Sequence, residues 1–172
     1  GYQYYLKHHV HENFFKEDKT IDFAFGFSVV TDERNMVYNQ FIQSPVFNEK
    51  NKIFIKNKFE NIDTFLDRDA YLDVIEKSRF TLNIPSYDSS LFSLARFVES
   101  LHRDCLPLIT VDTNVKDINS SFGIEEETTE LLVEYSNIQE KIDSFSEEKR
   151  IKLLNSLKHK VLEYKKGLII WK

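Results

Sequence analysis

The chain has 172 residues and a net charge of −5, from 23 Lys+Arg against 28 Asp+Glu, with 41% hydrophobic residues and one cysteine. With 15 Phe and 8 Tyr it carries too much aromatic surface to remain disordered, and a single cysteine excludes a disulfide scaffold. The acidic balance argues against a nucleic-acid or membrane surface on this chain, no apolar run approaches the roughly 20 residues that span a bilayer, and the length suits one domain with a sizeable core.

Residues 1–19 read as an extended polar linker. They lack helical or strand periodicity. His8, His9 and His11 have no cysteine beside them, so a solvated linker explains them better than zinc. Nothing there resembles a signal peptide: residues 7–19 are polar, and no apolar core follows a basic start.

The organised domain is expected over residues 20–172. Residues 21–27 (IDFAFGF) form a short apolar run, the mark of a buried strand. Thr31 or Asp32 then caps a helix over residues 33–43. Residues 52–59 (KIFIKNKF) alternate as a second strand. A helix over 70–78 carries Tyr71, Val74 and Ile75 on one face. Residues 80–84 (FTLNI) form a third strand, stopped by Pro85. A helix over 91–101 follows, with Phe92, Ala95, Val98 and Leu101 as its apolar stripe.

Residues 106–111 (LPLITV) form a fourth strand. Residues 112–121 read as loop or a short helical turn, and Glu125 to Glu127 with Glu130 as a solvated acidic loop. A brief fifth strand covers 131–134, and a helix covers 138–145. One long helix runs over 146–165, with Ser146 as N-cap, Glu147 and Glu148 in its first turn and Gly167 as its stop. Such alternation implies an α/β fold: a Rossmann-like, doubly wound parallel sheet with helices on both faces. Ligands of such sheets bind beyond the carboxyl ends of the strands. Three loops therefore matter most, at residues 26–34, 85–91 and 112–115.

In the first loop, Gly26 would let a phosphate approach, Ser28 offers a hydroxyl, and Arg34 would close an anion site at a helix N-terminus. No GxGxxG fingerprint is present, which disfavours a nicotinamide or flavin dinucleotide. An ordinary strand-to-helix turn with a surface arginine is the simpler alternative. Arg96 and Glu99 stand three apart on one helix and share a face. A Glu there can accept two hydrogen bonds from a ribose diol, and an Arg one turn away can hold a diphosphate. The alternative is an intrahelical pair worth a few tenths of a kcal/mol.

The stretch over residues 78–109, SRFTLNIPSYDSSLFSLARFVESLHRDCLPLI, resembles the nucleotide-sugar-binding core of GT-B glycosyltransferases. It has their strand, polar loop, helix with Arg-x-x-Glu, small turn, and strand with an embedded Pro. Cys105, Pro107 and Ile109 match the Cys-x-Pro-x-Ile of exostosin-like transferases. The likeness is strongest to the phage DNA β-glucosyltransferase family, and it covers most of residues 20–111.

The resemblance implies the C-terminal, donor-binding half of a GT-B enzyme, here a transferase glucosylating hydroxymethylated pyrimidines in DNA. It implies a nucleoside diphosphate sugar, UDP-glucose by preference, as substrate, and no further cofactor. Glu99 would take the ribose hydroxyls. Arg96 and Arg34 would hold the diphosphate, with Gly26 and Ser28 contributing. Leu66 and Arg68 would lie near the base, and Tyr87, Asp88 and Phe92 near the sugar. The family's second loop arginine is replaced by Val30. The acceptor domain, with the catalytic base and any DNA contact, would be a separate N-terminal half. A cytoplasmic location follows, in the host if the protein is phage-encoded, with no membrane partner. A glycan-directed GT-B transferase, or a non-catalytic Rossmann-like module, would share much of this pattern.

Two other signals have simpler explanations. Asp67-Arg68-Asp69 is an Asp-x-Asp, but it falls at a helix start, where capping accounts for it without a metal. Cys105, between helix and strand, reads as core rather than nucleophile.

Overall fold

A computed structural model of the chain describes residues 19–28, 52–57, 68–83 and 93–163; the side chains of residues 25–28, 52–57, 68, 70 and 163 are outside that description. The strands are β1 (Ile21–Ser28), β2 (Lys52–Asn57), β3 (Ser78–Asn83), β4 (Leu106–Thr110) and β5 (Leu132–Val133). They form one sheet in the order β2-β1-β3-β4-β5, and every neighbouring pair is parallel. The described helices are α1 (Arg68–Glu76), α2 (Leu94–His102), α3 (Lys116–Phe122), α4 (Glu125–Leu131), α5 (Ile138–Asp143) and α6 (Glu147–Leu157).

A parallel strand buried on both faces needs an unbroken apolar run. β4 meets that requirement, with all five residues buried. β1 makes the two faces visible. Phe23 and Ala24 are successive residues, so they point to opposite sides, and both are fully buried. Phe23 joins the large core with Phe80, Leu82, Leu153 and Leu154. Ala24 instead packs with Ile75, Tyr71 and Val74 of α1 and with Cys105. Helices therefore cover both faces, as the alternation of elements implies. Cys105 is fully buried, and burial pushes its thiol up to about 12.

Four expectations are corrected. Residues 112–121, read as loop or a short helical turn, contain the seven-residue α3, longer than a single turn and closed by Gly123 at φ 65, whose N–H donates to Asn119 O at 2.8 Å. α3 has no fully buried residue; Ile118 and Phe122, one turn apart, pack against the core only in part. The acidic stretch is likewise α4, and Glu127 is 5% exposed rather than solvated. Its carboxylate accepts from Lys160 Nζ at 2.6 Å and from Ser156 Oγ at 2.8 Å. Burial pulls the Glu127 pKa up, but those hydrogen bonds outweigh it and hold the carboxyl below its ordinary value.

The single long C-terminal helix divides. α6 ends at Leu157, and a π-helical segment, Lys158–Glu163, follows. The wider winding accompanies Lys158 on Asp104 (2.6 Å) and Lys160 on Glu127, distant partners that periodicity cannot reveal. The cap itself is as expected: Ser146 Oγ accepts from Lys149 N at 3.1 Å. Finally, Lys19 belongs to the fold and not to the linker. It is 7% exposed, and its Nζ donates to Glu76 O at 2.6 Å and Arg103 O at 2.5 Å. These carbonyls lie at the C-terminal ends of α1 and α2, where helices leave acceptors unpaired and favour a cation. The linker residues 1–18, the helix expected over 33–43 and residues 168–172 lie outside the described residues.

Candidate functional site

In the order β2-β1-β3-β4-β5 the chain winds one way from β1 to β2 and the other way from β3 onward. The reversal lies between β1 and β3, and a doubly wound sheet binds ligands beyond the carboxyl ends at that point. β1 ends there with Gly26 and Ser28, paired with Ile55 and Asn57 of β2. β3 ends there with Asn83, paired with Ile109 of β4.

Asn83 ties the end of β3 to the start of α2. Its Nδ2 donates to Ser93 O at 2.9 Å, and its Oδ1 accepts from Ser93 N at 3.4 Å. The polar side chain thus holds the helix start beside the strand end, although the sequence reading gave Asn83 only a place in the strand. Ser93 makes no side-chain cap. The first intrahelical bond runs from Phe97 N to Ser93 O at 3.2 Å. The N–H groups before it have no partner within the helix, the usual reason that helix starts attract anions.

Arg96 lies in the first turn of α2 and Glu99 one turn on. The pair faces α1. Arg96 Nη1 donates to Tyr71 Oη at 3.2 Å, and the guanidinium carbon lies 5.3 Å from the Tyr71 ring centre. Glu99 is only 5% exposed, so its carboxylate is not a surface group. Burial raises the Tyr71 pKa; the Arg96 charge and hydrogen bond oppose that shift, and the neighbouring Cys105 and Glu99 add to it.

Tyr71, Thr81, Asn83, Arg96, Glu99 and Pro107 line a cavity of about 10 Å³. That is room for about one water and far too small for a ribose. Thr81 Oγ1 is buried at 5% residue exposure and has no hydrogen-bond partner. Larger hollows lie elsewhere among the described residues. One of about 330 Å³ borders Val111, Glu134, Asn137 and Lys141, and one of about 360 Å³ borders Glu126, Glu130, Lys149 and Lys152. Neither includes a residue expected to bind the donor.

The structure brings Arg96 and Glu99 together with Tyr71, which the sequence reading placed only on an apolar helix face. It sets the backbone of Gly26 and Ser28 at the β1 end. Arg34, Leu66, Tyr87, Asp88 and Phe92 lie outside the described residues, as does the side chain of Arg68. The third loop is a closed turn: Thr113 N donates to Thr110 O at 3.0 Å, and their hydroxyls meet at 2.8 Å. Asp69 is an exposed first-turn residue of α1. Among the described residues no group of three or more His, Cys, Asp or Glu side chains is placed to hold a metal. No helix among them is long and apolar enough to cross a membrane. No protein-family model matches the chain, and no curated protein matches it.

Proposed function

We propose that this chain is the donor-binding half of a GT-B-type glycosyltransferase and binds a nucleoside diphosphate sugar. The observation that carries the reading is the placement of Arg96 and a buried Glu99 on the helix that starts at the switch point of a parallel sheet. Glu99 accepts hydrogen bonds from the two ribose hydroxyls. Arg96 and the start of α2 take the diphosphate. In the transfer the bond from the sugar C1 to the diphosphate oxygen breaks, and the acceptor hydroxyl oxygen bonds to C1. Its proton goes to a base, and the negative charge collects on the diphosphate. Arg96 and the helix start stabilise that charge without a metal.

UDP-glucose is the favoured donor, and hydroxymethylated pyrimidine in DNA the favoured acceptor, both on the strength of the family resemblance. The net charge of −5 assigns any attraction to DNA to another domain. The Cys105, Pro107 and Ile109 pattern supports a second reading, a transferase acting on a polysaccharide or lipid-linked glycan.

Calorimetric titration with UDP, GDP, ADP and their glucose conjugates, with and without chelator, tests the donor reading. The expected result is chelator-insensitive binding of one diphosphate, weakened about 10–150-fold in Glu99→Ala, the loss of a hydrogen bond to a charged group. Binding unchanged in Glu99→Ala, or no binding at all, overturns it.

A further inference from the structure

We infer that Tyr71 is a positioning residue for Arg96: the phenol on α1 fixes the guanidinium on α2 in the orientation that meets a diphosphate. The inference rests on the donor-binding reading and adds to it a residue from a different helix. Two contacts carry it. The Arg96 guanidinium lies over the Tyr71 ring at 5.3 Å, and its Nη1 donates to the Tyr71 hydroxyl at 3.2 Å. Face and hydroxyl together restrict both the plane of the guanidinium and its rotation about the side-chain axis.

The chemistry of the partner matters. A carboxylate in this place would neutralise Arg96 and occupy its fork as a bidentate pair. A phenol is neutral and accepts only one of the five N–H donors. Burial raises the Tyr71 pKa, so the phenol stays protonated at neutral pH. Tyr71 is therefore suited to orient a guanidinium without filling its fork. Its own place is firm: α1 packs on β1 through Ile75 and Val74 against Ala24, and Lys19 joins the far ends of α1 and α2.

The test compares the full chain with Tyr71→Phe, Tyr71→Leu and Arg96→Met, after thermal melting confirms that each is folded. Each is titrated with the nucleoside diphosphate that the native chain binds and with the matching nucleoside. In parallel, ¹⁵N NMR of the Arg96 side chain reads guanidinium rotation, and Arg96→Met assigns its signal. The expected result is slow rotation in the native chain and fast rotation in Tyr71→Leu. Diphosphate affinity should fall about 5- to 30-fold in Tyr71→Leu and about 3-fold in Tyr71→Phe, which keeps the ring. Nucleoside affinity should hold within about twofold, because Arg96 contacts only the phosphates.

Diphosphate binding that is lost in Arg96→Met but unchanged in Tyr71→Leu overturns the role of Tyr71 and leaves the donor site standing. Equal loss of diphosphate and nucleoside affinity in Tyr71→Leu also overturns it, as the mark of a merely structural residue. A native chain that binds neither ligand overturns the donor reading and the inference together.

Discussion

At the amino end of the sheet Arg150 is 3% exposed, and its donors meet a carboxylate and two carbonyls. Nη2 and Nε reach Glu147 at 2.5 and 3.0 Å, while Nη1 reaches Asp104 O at 2.7 Å and Arg79 O at 3.4 Å. On the side toward the carboxyl end, Arg96 is half-buried and rests against a neutral phenol. One arginine is neutralised and joins α6 to the starts of β3 and β4. The other carries a neutral phenol against its face and at one of its donors. Residue type alone does not separate a cation that builds a fold from one suited to an anion; the chemistry of its partners does.

The largest expected effect breaks the amino end. Arg150→Met leaves two carbonyls without this donor and removes one of the two arginines paired with the half-exposed Glu147, so urea unfolding should show a loss of about 2–4 kcal/mol. The nucleotide affinity of the folded protein should stay within about twofold by calorimetry. A collapse of affinity at intact folding would erase the division between the two ends. Arg96→Met gives the opposite pattern. Diphosphate affinity should fall about 10–150-fold, while stability falls by about 1 kcal/mol from the lost cation–π and hydroxyl contacts.

Smaller effects sharpen the amino end. Ser146 caps the helix that carries Glu147 and Arg150, and Ser146→Ala should cost about 1 kcal/mol in the same urea titration. Glu147 supplies a pH signature. The Arg150 hydrogen bond holds its carboxyl below the ordinary value of 4.5, against partial burial. A carboxyl whose folded pKa is depressed stabilises the fold above its unfolded pKa, and that contribution fades as pH falls through the folded pKa. Melting temperature should therefore drop less steeply below about pH 4.5 in Glu147→Gln than in the native chain. Identical acid limbs would show that the ion pair adds nothing measurable.

Much of the fold was legible in the chain. The apolar run at Ile21 to Phe27, the fully buried LPLIT of β4 and the Ser146 cap are local signals, and each lies close to where it was expected. α3 was legible only as a possible short turn, because it fully buries nothing, and α4 was not legible, because it hides its buried Glu127 in an acidic run. At the candidate site, three-residue spacing put Arg96 and Glu99 on one face, but spacing within a helix says nothing about what that face meets. Tyr71 is 25 positions from Arg96. The only sequence signal for it was a polar-tipped aromatic on an apolar stripe, a residue that needs a hydrogen-bond partner once buried.

By itself the sequence determined the α/β class, most strands and the Arg-x-x-Glu pattern, because burial period, turn residues and caps act between near neighbours. Tertiary structure alone decided the strand order, the switch point between β1 and β3, and the burial of Glu99. It also decided the distant acceptors of the buried cations: Lys19 and Arg150 reach backbone carbonyls and Lys158 the Asp104 carboxylate, across 46 to 84 positions. Such partners are chosen when the elements pack, since only then do a helix-end carbonyl, a strand start and a charged side chain share one place from which water is excluded.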